Sequence, residues 1–207
     1  MTKNPTQNQI DTLLKYFNNK QLNDAENYGV KLSQEFPEDP FTWKVLGVIF
    51  KENGKISDSI SAIKKSLKLN PNDPEIHNNL GFVYQENKDY NEAALCYDKA
   101  IKIKPDYIQA HHNLGLINHL QQNYYKAEIS YKNALKIKSN YLPVYNNLGD
   151  VLIKQGKIIE AEICYKQSIK LKKENPEAHN NLGVALQRQD KIKEAKISYE
   201  QALIYKN

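Results

Sequence analysis

The dipeptide Leu-Gly recurs at Leu46-Gly47, Leu80-Gly81, Leu114-Gly115, Leu148-Gly149 and Leu182-Gly183, each copy 34 residues after the last. A fixed period of that length, uninterrupted over five copies, demands a chain made by stacking one supersecondary unit. Tyr97, Tyr131, Tyr165 and Tyr199 keep the same phase, as do Ala93, Ala127, Ala161 and Ala195. Ala100, Ala134 and Ala202 form a further column with Ser66 and Ser168. A chain of 207 residues, 40% of them apolar, has enough material for one core or a row of small ones. The period selects the row.

The phase sets repeats at 6–39, 40–73, 74–107, 108–141, 142–175 and 176–207, after a disordered N-terminus at 1–5. Each repeat carries two amphipathic stretches. In the third they run Pro74 to Asn87 and Tyr90 to Ile103. His77, Leu80, Gly81 and Tyr84 fall on one helical stripe, and Ala93, Tyr97 and Ala100 on the facing one. A short connection makes the two helices an antiparallel pair. Asp39-Pro40, Asp73-Pro74 and Asn175-Pro176 each set a capping side chain before a proline at the first helical position. Glycine within a helix costs about 1 kcal/mol against alanine. The recurring Leu-Gly therefore predicts close helix approach, with Ser59, Ala93, Ala127, Ala161 and Ala195 as the facing small column.

These residues resemble the tetratricopeptide repeat family over 6–207. The likeness rests on Trp43, His77, His111, Tyr145 and His179 at the fourth position, then Leu-Gly, Ala, Tyr, Ala and Pro in order. Repeat one departs, with Thr12-Leu13 in place of Leu-Gly, and reads as a polar end cap. Asn118, Ser139 and Lys173 are the other departures. The resemblance implies an all-α fold, a right-handed superhelix or α-solenoid of about six helix-turn-helix repeats. It places one face of each first helix on the concave side.

Opposite the core stripe lie positions 2, 6, 9 and 13 of each first helix. Position 6 holds Asn79, Asn113, Asn147 and Asn181, with Val45 in repeat two. A carboxamide both donates and accepts hydrogen bonds, so a row of them can grip a peptide backbone. Rungs roughly 8–10 Å apart meet about every third residue of an extended strand rising about 3.3 Å per residue. The row is similar to the asparagine ladder of O-linked N-acetylglucosamine transferases, which implies peptide clamping at these four positions. The other reading is decoration inherited by duplication. Phe41 and Val45, with Val48, are expected to form an apolar pocket at the N-terminal end, and Asp150, Lys154 and Arg188 a charged stretch farther on. All of these are candidate peptide-binding residues.

Other chemistry is not expected. No Cys, Asp or Glu joins the histidines at metal-ligand spacing, and His77, His111 and His179 read as aromatic fillers. No nucleophile and base share a spacing, and no glycine-rich phosphate loop is present. Neither catalytic residues, metal nor cofactor is therefore predicted. The net charge is +5, much of it in the column Lys68, Lys102, Lys136 and Lys170 at helix ends, where it complements helix dipoles. The concave face is too poor in cations to track a nucleic acid. The chain has no membrane-length apolar run and no secretory leader. Cys96 and Cys164, two repeats apart, cannot pair, which points to a reducing, cytoplasmic setting.

The expected function is an interaction scaffold that holds an extended peptide or a partner helix. Ile197, Leu203 and Ile204 at the last helix suggest an uncovered apolar edge, expected first from a chain that is a piece of a longer protein, and otherwise from self-association or tolerated exposure. The opening of the chain, including Phe36-Pro37 and Trp43 to Gly47, looks like tetratricopeptide front ends of bacterial glycosyltransferases and sulfotransferases. That resemblance implies the alternative, a substrate-recruiting arm of a protein-modifying transferase.

Overall fold

The computed structural model describes residues 4–206, and among them the chain is all helix and connection. The part of the 1–5 expectation that falls on residues 1–3 lies outside the described residues. Pro5 is buried directly before the Thr6 cap. The helices are α1 (Gln7–Asn18), α2 (Leu22–Glu35), α3 (Pro40–Glu52), α4 (Ile56–Leu69), α5 (Pro74–Glu86) and α6 (Tyr90–Ile103). They continue as α7 (Ile108–Leu120), α8 (Tyr124–Ile137), α9 (Leu142–Lys154), α10 (Ile158–Leu171), α11 (Pro176–Gln187) and α12 (Ile192–Ile204). Their contacts form two compact units, one ending at Pro105 and the other starting at Asp106.

Within each unit the helices pack as hairpins, and the second helix of one hairpin packs on the first of the next. First helices also touch: α3 with α5 in one unit, α7 with α9 and α9 with α11 in the other. The predicted caps are in place. Asp39 Oδ2 accepts from Thr42 N at 2.7 Å, Asp73 Oδ1 from Glu75 N at 2.8 Å, and Asn175 Oδ1 from Ala178 N at 3.1 Å. No helix among the described residues is long and apolar enough to cross a membrane.

The partner of the Leu-Gly glycine is a correction. A Cβ built on Gly81 would lie 2.8 Å from Tyr97 Cε1, and one on Gly115 2.5 Å from Tyr131 Cε1. Gly149 and Gly183 likewise face Tyr165 and Tyr199, and Gly47 faces Ile63 in the same column. The glycines thus make room for a ring rather than for the small column. Tyr97, Tyr131 and Tyr165 are consequently almost wholly buried. An aromatic ring burying roughly 150–250 Å², at roughly 25 cal/mol/Å², contributes about 4–6 kcal/mol. That exceeds the glycine cost of about 1 kcal/mol. The small column has a different role at Ser59, whose hydroxyl donates to the Gly47 carbonyl at 2.7 Å.

The fourth-position aromatics are also more than fillers. Trp43 Nε1 donates to the Pro37 carbonyl at 2.9 Å and the Tyr145 hydroxyl to the Ser139 carbonyl at 2.6 Å. His77 Nε2 and His179 Nε2 sit 2.9 and 3.0 Å from the carbonyls of Pro71 and Lys173. A carbonyl only accepts, so these two rings carry their proton on Nε2. The bond needs a backbone carbonyl and not a proline, which explains why Ser139 and Lys173 serve as well.

Successive repeats are tied along their turn edge by a device the periodicity reading missed. Glu128, on α8, receives hydrogen bonds from Lys132 Nζ at 2.6 Å and from Lys157 Nζ of the next repeat at 2.7 Å. Glu162, on α10, is held in the same way by Lys166, Lys191 and Gln189. Glu26 pairs with Lys55 and Asn53. Burial alone would raise the Glu128 carboxyl, but bonds from Lys132, Lys157 and Gln155 bring it down to about 2. At Glu162 the Lys166 bond leads, and the carboxyl also sits at about 2.

The turn inside every hairpin passes through the left-handed region at one position. Gly54 and Gly156 take it at φ 74° and 76°, while Lys20, Lys88, Gln122 and Asp190 take it at 61°, 64°, 61° and 58°. A side chain there costs about 1 kcal/mol that glycine does not. Gln122→Gly is therefore expected to raise the unfolding free energy by about 0.5–1 kcal/mol, read by urea denaturation. A lower value would show that the turn carries no strain.

Candidate functional site

In the unit starting at Asp106, α7, α9 and α11 lie side by side and bring Asn113, Asn147 and Asn181 onto neighbouring helices, all half-buried. Their amides are not idle. Asn147 Nδ2 lies 3.1 Å from His112 Nε2 across the α7–α9 contact. Burial pushes the His112 ring below its ordinary pKa. A neutral ring offers Nε2 as an acceptor, so the amide donates. Asn181 Nδ2 donates to Asp150 Oδ1 across the α9–α11 contact at 3.0 Å. The Tyr165 hydroxyl donates to the same oxygen at 2.7 Å. Sequence reasoning treated the carboxamides as both donor and acceptor for a ligand. Each Nδ2 carries two hydrogens, so at Asn147 and Asn181 one donor is engaged while the other, with lone-pair capacity on Oδ1, remains. Asn181 Oδ1 also accepts from Asn180 Nδ2 at 3.3 Å.

Asp150 lies one turn beyond Asn147 on α9. Burial pushes its carboxyl up, opposed by the Tyr165 bond, while Glu177 adds to the rise and His119 and Lys154 oppose it. His119 is held below its ordinary value by burial, with Asp150 acting against that. Lys154, the last residue of α9, is exposed. Arg188 stands at the end of α11. It is the C-cap of α11 and lines a turn-edge depression of about 430 Å³ with Lys157, Ile159 and Glu160. Its backbone keeps helical dihedrals, φ −65° and ψ −12°.

The unit ending at Pro105 carries Asn79, half-buried on α5. The expected apolar pocket does not form there. Val45 is only 8% exposed, buried among Leu13, Ala25, Leu32, Phe36 and Ile49, with Phe41 packed on the same cluster. The preceding hairpin covers it, and wheel position alone does not register a neighbouring helix. Lys44 Nζ lies 5.5 Å from the Phe41 ring centroid and bonds Glu75 at 2.7 Å. Lys51 Nζ stands 4.6 Å from the centroid of Phe82. The surface is cationic over aromatic rather than apolar.

Among the described residues no group of three or more His, Cys, Asp and Glu is placed to hold a metal ion. Cys96 and Cys164 are free and buried, and burial pushes both thiols up to about 11. They are protonated and unreactive at neutral pH.

The arrangement of helical hairpins is shared with known proteins. A TPR repeat model matches residues 47–88 and 149–190, and tetratricopeptide repeat models match 74–107 and 108–141. The chain belongs to the tetratricopeptide repeat family. A crystal structure of MamA is similar at 25% identity and TM-score 0.75, over 78% of this chain and 94% of that one. The pilF protein of Pseudomonas aeruginosa is similar at 21% identity and TM-score 0.81, over 92% and 86%. YrrB, described as a TPR protein with an unusual peptide-binding site, is similar at 18% identity and TM-score 0.73, over 86% and 91%. Comparison with curated proteins finds no match.

Proposed function

We propose that the chain is a protein-interaction scaffold that holds an extended peptide along the first helices of its second unit. The observation that carries this reading is the row Asn113, Asn147 and Asn181 on three adjacent helices. Two of the amides are held in fixed orientation by His112 and Asp150. Fixing a group before the ligand arrives lowers the entropy cost of binding. The amide oxygens of Asn147 and Asn181 keep a lone pair for a peptide N–H, and rungs roughly 8–10 Å apart fit every third residue of a strand. The likeness to YrrB, whose own description includes a peptide-binding site, supports the same use of the fold.

A fluorescence-anisotropy screen of labelled random dodecapeptides tests this. Asn113→Ala with Asn147→Ala is expected to weaken binding about tenfold, the loss of one to two hydrogen bonds at about 1 kcal/mol each, with the circular dichroism melt preserved. Equal binding by the folded double variant retires the row as a clamp.

A further inference from the structure

The deep carboxylates of this chain are treated in two ways. Glu128 and Glu162 each receive two lysine ammonium groups. Asp150, on the face of the asparagine row, receives only the Tyr165 hydroxyl and the Asn181 amide, both neutral and both on Oδ1. Among the described residues no lysine, arginine or histidine nitrogen lies within ion-pair distance of it. Lys154, one turn on, is exposed and acts on it only at longer range. A half-buried carboxylate without a cation bears a desolvation cost that a cation would offset.

A second group beside it is also left incomplete. The Tyr131 hydroxyl is buried and donates to no acceptor, and both Asp150 and the Asn147 amide are near enough to act on it electrostatically. In two other repeats the matching tyrosine is satisfied. Tyr97 donates to Gln85 and Tyr199 to Gln187, each at 3.0 Å. In the Tyr131 repeat the glutamine position is His119, whose ring instead packs edge-on to Tyr124 at 5.9 Å. Asp150 is thus an acceptor without a cation, and Tyr131 a donor without an acceptor.

We infer that Asp150 selects the peptide, by pairing with a lysine or arginine side chain through its Oδ2. This rests on the groove reading above and narrows it to basic segments. The Asn181 and Tyr165 bonds hold Oδ1 and so aim Oδ2. The Tyr131 hydroxyl is enclosed within the fold, so the selection rests on Asp150. Lys154 tethers no pair here, so the incoming cation displaces none.

The test uses the full chain and four pools of labelled dodecapeptides with random flanks and a fixed central residue, namely arginine, lysine, citrulline or glutamate. Citrulline keeps the shape of arginine without its charge. The wild type is expected to bind the arginine and lysine pools about tenfold tighter than the citrulline pool. Asp150→Asn retains an oxygen for Tyr165, so it is expected to fold and to bind all four pools at the citrulline level. A wild type that binds every pool alike overturns the selection by Asp150 and leaves the groove reading standing. A preference that survives in Asp150→Asn overturns it too. Binding of no pool overturns both.

Discussion

Gly115→Ala is expected to lower the unfolding free energy by about 1–3 kcal/mol, the range for forcing an extra methyl into a packed core. The direction is informative because propensity argues the opposite. Alanine in a helix interior gains about 1 kcal/mol over glycine, so a free position would be stabilised. The added Cβ would lie 2.5 Å from Tyr131 Cε1 and 2.6 Å from Cδ1. The ring is fully buried and has no space to withdraw. Tyr131→Leu removes those atoms, and the double variant is expected to be more stable than the sum of the two losses by about 1 kcal/mol or more. Chemical denaturation of the four proteins measures this coupling. A neutral or stabilising Gly115→Ala would mean that ring and glycine are not packed together.

Acidification is expected to loosen the chain through Glu128 and Glu162. Both carboxyls sit at about 2 in the fold, against 4.5 for an ordinary glutamate. A depressed carboxyl contributes its full stability above the unfolded value. That contribution fades as pH falls from about 4.5 towards 2, where protonation of the folded carboxyl completes the loss. The lysine partners are 36–54% exposed, so solvent screens each pair. Glu128→Gln and Glu162→Gln are therefore each expected to cost about 1–2 kcal/mol at pH 7. The double variant should show a flatter decline between pH 4.5 and 2 in thermal melts. An unchanged slope would place the acid sensitivity elsewhere.

The repeat length, the helix pairs and the capping residues were legible because they are local or periodic. Asp39, Asp73 and Asn175 announce helix starts by chemistry that needs only the next three residues. The glutamate clamps were legible and went unread: Glu26, Glu128 and Glu162 are each followed 29 residues later by Lys55, Lys157 and Lys191. A search for charge pairs at constant offset finds them. The destination of the Tyr ring was not legible, since spacing does not say which small residue it crosses. Val45 shows the same limit from the other side. Its wheel position points away from its own hairpin, yet the preceding hairpin buries it.

The candidate face divides similarly. The asparagine row follows from phase alone. The use of its amides depends on His112 and Asp150, which reach Asn147 and Asn181 only because first helices lie side by side.

The sequence by itself determined that this is a tandem helical-hairpin protein of the tetratricopeptide repeat kind, since a 34-residue period with these columns leaves each hairpin no way to cover its apolar stripe except against its neighbour. Only the tertiary structure decided which polar groups are already engaged and which carboxylate stands without a cation. Hydrogen bonds and desolvation act over a few ångströms between helices, and no periodicity encodes that distance.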